Sequence, residues 1–143
     1  MKNTISLGRG WSLFHYPCTN ASSDKAVLVV PNGAGYYATM KKHGSSSQPL
    51  DIFLADLAEQ YHTYYAVLPG QTSWDKLQYS YENSVTSTKE ALLLVRNRQE
   101  LIGVIGMCAG GAIVAQAISD TIEKAEDRPP LMLYNTAVSV GWS

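Results

Sequence analysis

GVIGMCAGGAIVAQAI, residues Gly103–Ile118, joins a short apolar run to a cysteine with glycine two residues away on either side, and then to a second, longer apolar segment. The spacing Gly106-Met107-Cys108-Ala109-Gly110 predicts a strand that turns at once into a helix, with Cys108 on the turn. Such a turn is strained and brings neighbouring backbone close, so small residues are needed at 106 and 110. A thiol placed there is a candidate nucleophile. The amide of Ala109, in the first turn of the helix, would face it, and the positive end of a helix favours an anion at that spot. The competing reading makes Cys108 a small buried core residue, a common fate of free cysteine.

Working outward, Ala26–Val30, Thr63–Leu68, Leu101–Ile105 and Leu131–Tyr134 are apolar without alternation, as strands buried on both faces are. Segments of helical period separate them. Leu50, Phe53, Leu54, Leu57, Ala58 and Tyr61 form an apolar stripe after Pro49, which suits a first helical turn. A second helix is expected through SVTSTKEALLLVRNRQ, with Ser87-Thr88-Lys89-Glu90 as a capping box. The third begins at Cys108. Strands alternating with helices predict an α/β fold, a mostly parallel sheet with helices on both faces. TISLGRGWSLFHYP, broken by Gly8 and Gly10, reads as an antiparallel hairpin leading into it.

The run after the first buried strand, VVPNGAGYYATM, holds a second glycine motif. Read as G-x-G-x-x-A it suggests dinucleotide binding, but that needs a helix opening at the glycines and a carboxylate ending the next strand. The next strand ends Leu68-Pro69-Gly70 instead. The other reading is an oxyanion loop over Asn32–Gly35, in which Gly33 and Ala34 turn their N–H groups toward a ligand. No cofactor and no metal is expected.

The chain has 143 residues, 45% hydrophobic and 16% charged, with formal net charge −1, and reads as one domain over 1–143. Its 11 Lys and Arg are scattered, which argues against nucleic acid as a partner. Two cysteines without a disulfide framework, no signal-like start and no membrane-length apolar run lead to the expectation of a cytoplasmic protein. Nine tyrosines and three tryptophans are many for this length, and Tyr36, Tyr37 and Trp74 fall in loops where they could line a pocket.

Taken together, the hairpin-like start, the Asn32–Gly35 loop, the strand ending LPG before QTSWD and the GMCAGG turn resemble the α/β-hydrolase fold. The Gly-x-Cys-x-Gly-Gly pattern looks most like the dienelactone hydrolase branch, whose nucleophile is a cysteine. That resemblance implies Cys108 as nucleophile, the Ala109 and Gly33–Ala34 amides as oxyanion donors, and an ester, lactone or thioester carbonyl as the target. In that fold the order is nucleophile, acid, histidine. Here no histidine occurs from Ala109 to Ser143, and Asp120, Glu123, Glu126 and Asp127 read as a solvated face.

The resemblance therefore covers the N-terminal half of a hydrolase, an incomplete core lacking the last strands. Of the three histidines, His15 and His62 are expected away from the elbow, and only His43 on its side of the sheet, as a possible base or an ordinary surface loop residue. Histidine and aspartate would come from a second polypeptide, a second copy of this chain, or a portion lost by cleavage, and the Leu131–Tyr134 strand would be left as an open edge. The alternative is a hydrolase-like subunit that binds or scaffolds without catalysing.

Overall fold

In the computed structural model the described residues are 2–20, 22–31, 49–70 and 80–134. They form six strands, β1 (Asn3–Ser6), β2 (Ser12–Tyr16), β3 (Lys25–Val30), β4 (His62–Val67), β5 (Glu100–Met107) and β6 (Leu131–Tyr134), and three helices, α1 (Pro49–Leu57), α2 (Tyr81–Arg98) and α3 (Ala109–Thr121). All strands belong to one sheet in the order β1-β2-β4-β3-β5-β6. The β1–β2 hairpin runs antiparallel and joins β4 antiparallel, while β4, β3, β5 and β6 are mutually parallel. The expected mostly parallel α/β sheet is therefore present.

The unbroken apolar runs are explained by what covers each face. In β3, Ala26, Leu28 and Val30 pack with Val85, Leu92 and Val95 of α2 and Ile113, Val114 and Ala117 of α3. Val27 and Val29 point the other way, toward Leu50 and Leu54 of α1. With both faces occupied, alternation has no reason to appear. The coverage is uneven. α1 packs with side chains of β2, β3 and β4, whereas toward β6 an apolar groove lined by Val27, Leu57, Ile105, Pro130, Leu131 and Met132 stays open. Met132, Leu133 and Tyr134 of β6 are 63%, 47% and 61% exposed, and among the described residues β6 stands at the edge of the sheet.

Two local expectations are corrected. Helix α2 starts at Tyr81, and its N-cap is Ser80, whose hydroxyl accepts from the Asn83 N–H at 2.9 Å. Ser87 and Thr88 instead sit buried in mid-helix, their hydroxyls donating back to the Ser84 carbonyl. Glu90 accepts from the Gly8 N–H at 2.8 Å and so ties the hairpin turn to α2. A capping pattern in sequence lost to an earlier serine with a freer approach to the helix end. In α1, Phe53 is 38% exposed and Tyr61 lies beyond the helix, so only Leu50 and Leu54 of the stripe, with Ala58 just after the helix, are fully buried. Among the described residues no helix is long and apolar enough to cross a membrane.

Candidate active site

Strand β5 delivers the chain to Cys108, which has φ 50° and ψ −123°, and α3 starts at the next residue. A non-glycine residue at positive φ is held there only by its surroundings, at a cost on the order of 1–3 kcal/mol. Only one other described non-glycine residue, Arg9, shares that sign. The surroundings are the glycines. A Cβ on Gly106 would lie 2.6 Å from the Cα of Gly111, and one on Gly110 would lie 2.2 Å from the Pro31 carbonyl oxygen and 2.3 Å from that of Val30. The first turn of α3 thus rests backbone against backbone on the ends of β5 and β3.

That contact sets which groups are free for chemistry. The Cys108 N–H donates to the Tyr134 carbonyl at 3.0 Å, and the Cys108 carbonyl accepts from the Gly111 N–H at 3.0 Å. The Ala109 amide follows in the first helical turn, where N–H groups lack an intrahelical acceptor. Ala109 is exposed and Cys108 half-buried, so both can be approached from solvent. Pro31, against which Gly110 packs, is the described residue that immediately precedes Asn32. Gly33 and Ala34 of the expected oxyanion loop, the pocket candidates Tyr36, Tyr37 and Trp74, and the possible base His43 lie outside the described residues.

Asp120 forms an ion pair with Lys89 at 2.9 Å, and that contact, with a Gln116 hydrogen bond, holds its carboxyl below the usual range. Glu123, Glu126 and Asp127 are exposed, as expected of a solvated face. His62 pairs with Ala26 at the start of β3, whereas Gly106, two residues before Cys108, pairs with Val30 at its end. Four residues of strand separate these levels, roughly 13 Å. His15 bonds to His62 at the same far end. Among the described residues no group of three or more His, Cys, Asp and Glu could hold a metal ion. The link from Cys108 to Tyr134 could not be found by motif, since it uses backbone atoms only.

Compared by sequence, the chain matches no family model and no curated protein. Compared by structure, it is similar to a sugar hydrolase (YeeB) from Lactococcus lactis, with TM-score 0.65 and 19% identity over 99% of this chain and 56% of that one. It is similar also to an α/β hydrolase superfamily protein from Enterococcus faecalis, with TM-score 0.61 and 16% identity over 98% of this chain and 48% of the other. A third similar structure is MGS-M1, an α/β hydrolase enzyme from a Medee basin deep-sea metagenome library, at TM-score 0.63, 18% identity, 97% of this chain and 58% of that one. The fold is the α/β-hydrolase fold, and the chain spans about half the length of the structures it matches.

Proposed function

We propose that this α/β-hydrolase-fold chain supplies the nucleophile and oxyanion half of an acyl-transfer site, with Cys108 attacking an ester, lactone or thioester carbonyl. The observation that carries this reading is Cys108 itself, held at positive φ between a parallel strand and a helix by two glycines, Gly106 and Gly110, that backbone atoms crowd. The Cys108 thiolate sulfur bonds to the carbonyl carbon. The carbonyl oxygen takes the negative charge and is stabilised by the Ala109 N–H and by amides of the Gly33–Ala34 loop, one such donor being worth about 2.7–4 kcal/mol. Collapse of the adduct expels the alkoxide or thiolate leaving group, and water or a second nucleophile then releases the acyl group from sulfur.

A histidine with its acidic orienter would come from a polypeptide packed along β6. Support for this comes from the exposed apolar side chains of β6, the groove between it and α1, and the greater length of the similar structures. A second copy paired edge to edge would satisfy the backbone of β6 but leave that groove uncovered in each copy, so a partner with its own helix fits better. Cysteine tolerates a distant or absent base better than serine, because a few per cent of a thiol is already ionised near neutrality.

The test is a rapid-mixing assay with p-nitrophenyl butyrate. A burst of about one nitrophenolate per chain, lost in Cys108→Ala and kept in Cys18→Ala, supports the proposal. A burst that follows Cys18, or none at all, favours the alternative of a binding or scaffolding subunit.

A further inference from the structure

At the end of the sheet opposite Cys108, two histidines meet. His15 on β2 is 6% exposed, and its ring lies flat on that of its cross-strand partner Tyr64, with centroids 4.3 Å apart and planes 3° from parallel. Its Nε2 is 3.0 Å from Nδ1 of His62, the first residue of β4. The same Nδ1 faces the backbone N–H of Cys18 at 3.4 Å, where the chain has just left β2.

Elementary hydrogen-bond accounting fixes the protons. An amide N–H can only donate, so the His62 Nδ1 must present its lone pair, and His15 must then carry its proton on Nε2. One nitrogen atom therefore gathers two donors, one from β2 and one from the segment after it. A proton added at that nitrogen takes away its lone pair, so the Cys18 bond breaks and the His15 bond persists only if His15 moves its own proton from Nε2 to Nδ1.

Protonating His15 offers no escape. From β1, Asn3 stands opposite it; from β4, Tyr64 covers its face; and the Arg98 guanidinium at the end of α2 lies 6.0 Å from the Tyr64 ring centre. Burial first, then the Arg98 charge, then His62, hold the His15 imidazole down to about 4. Tyr64, whose hydroxyl donates to Gln99, is itself pushed above the usual phenol range by burial.

We propose that the His15–His62 contact is a pH-sensitive latch, which ties β2 and the chain at Cys18 to the base of the sheet near neutrality and releases them on acidification. It is independent of the chemistry at Cys108, because the two lie at opposite ends of the strands. What opens is the antiparallel edge of the sheet, where β2 is held by β4 on one side and only the four-residue β1 on the other. The parallel strands β3 and β5 stay closed.

Amide hydrogen exchange of the full chain at about pH 7.5 and about pH 5, corrected for intrinsic rates, tests it. The expected result is that amides of Ser12–Cys18 lose about tenfold more protection than Val104 and Ile105 of β5, the equivalent of one ordinary hydrogen bond. The variant His62→Asn places a non-titrating oxygen where Nδ1 stands, and it should remove that difference. Equal loss in β2 and β5, or unchanged pH dependence in His62→Asn, overturns the latch. A second measurement needs no variant: imidazole 15N shifts near pH 7.5 should show both rings protonated on Nε2, and a proton on Nδ1 of His62 overturns it too.

Discussion

Cys108 gives its backbone N–H to the carbonyl of Tyr134 at 3.0 Å, so the strained residue at the turn is fastened to the exposed edge strand of the sheet. This has a chemical corollary. With the Cys108 amide used inside the sheet, the proposed oxyanion would take its donor at this turn from the next residue, Ala109. It also makes the proposed nucleophile sensitive to whatever packs along β6.

The glycines in and before the turn differ sharply in what a methyl group would meet. Gly110→Ala forces a carbon to within 2.2 Å of the Pro31 oxygen, while Gly103→Ala finds its nearest atom at 3.9 Å. The first should cost about 3 kcal/mol as overpacking against backbone, and lower Tm by about 10 °C. The second should stay within about 0.5 kcal/mol of the parent. Thermal unfolding of the two variants side by side checks this, and equal Tm values would contradict the packing described.

Acid should destabilise the fold through His15. Its folded value of about 4 lies below the ordinary 6.5, so the unfolded chain binds the extra proton more readily between those limits. Stability from this group is fully present above pH 6.5 and declines as pH falls toward 4. The loss by pH 4 should reach about 3 kcal/mol. Urea unfolding across this range, with His15→Gln as the non-titrating comparison, reads the effect as a slope present in the parent and reduced in the variant.

At Ser80, the hydroxyl that accepts from the Asn83 N–H is the side-chain cap at the start of α2. Ser80→Ala should lower stability by about 1 kcal/mol. Chemical denaturation that shows no shift of the midpoint would mean that water replaces the cap without loss.

Met132, 63% exposed on the edge strand, offers a direct test of the open face. A charge there blunts edge-to-edge pairing, so Met132→Lys should reduce concentration-dependent light scattering while changing stability by no more than about 0.5 kcal/mol. Scattering as strong as the parent's would show that β6 is not the sticky surface.

Much of the architecture was legible because it follows from periodicity. Runs such as Ala26–Val30 lack alternation for the same reason that they are central and parallel, and Gly106, Cys108 and Gly110 mark the turn because only glycine tolerates the contacts found there. What sequence could not supply were relationships that no pattern encodes. Ser80 outcompeted the Ser87-Thr88-Lys89-Glu90 pattern because helix position, not local composition, decides which hydroxyl meets a free amide. The partnership of His15 with His62 depends on β2 lying beside β4, a long-range pairing between residues 47 apart in the chain. The Tyr134 carbonyl is invisible for a different reason, since any residue would offer the same atom.

The central claim is most directly tested by treating the native chain with a β-lactone and mapping the modified peptide by mass spectrometry. Ring opening by a nucleophile keeps the whole lactone as an acyl group on the attacking atom, with no leaving group lost. The account expects the adduct on Cys108, released by hydroxylamine as a thioester is, with Cys18 unmodified on the same timescale. An adduct confined to Cys18, or a Cys108 that reacts only after denaturation, would contradict it.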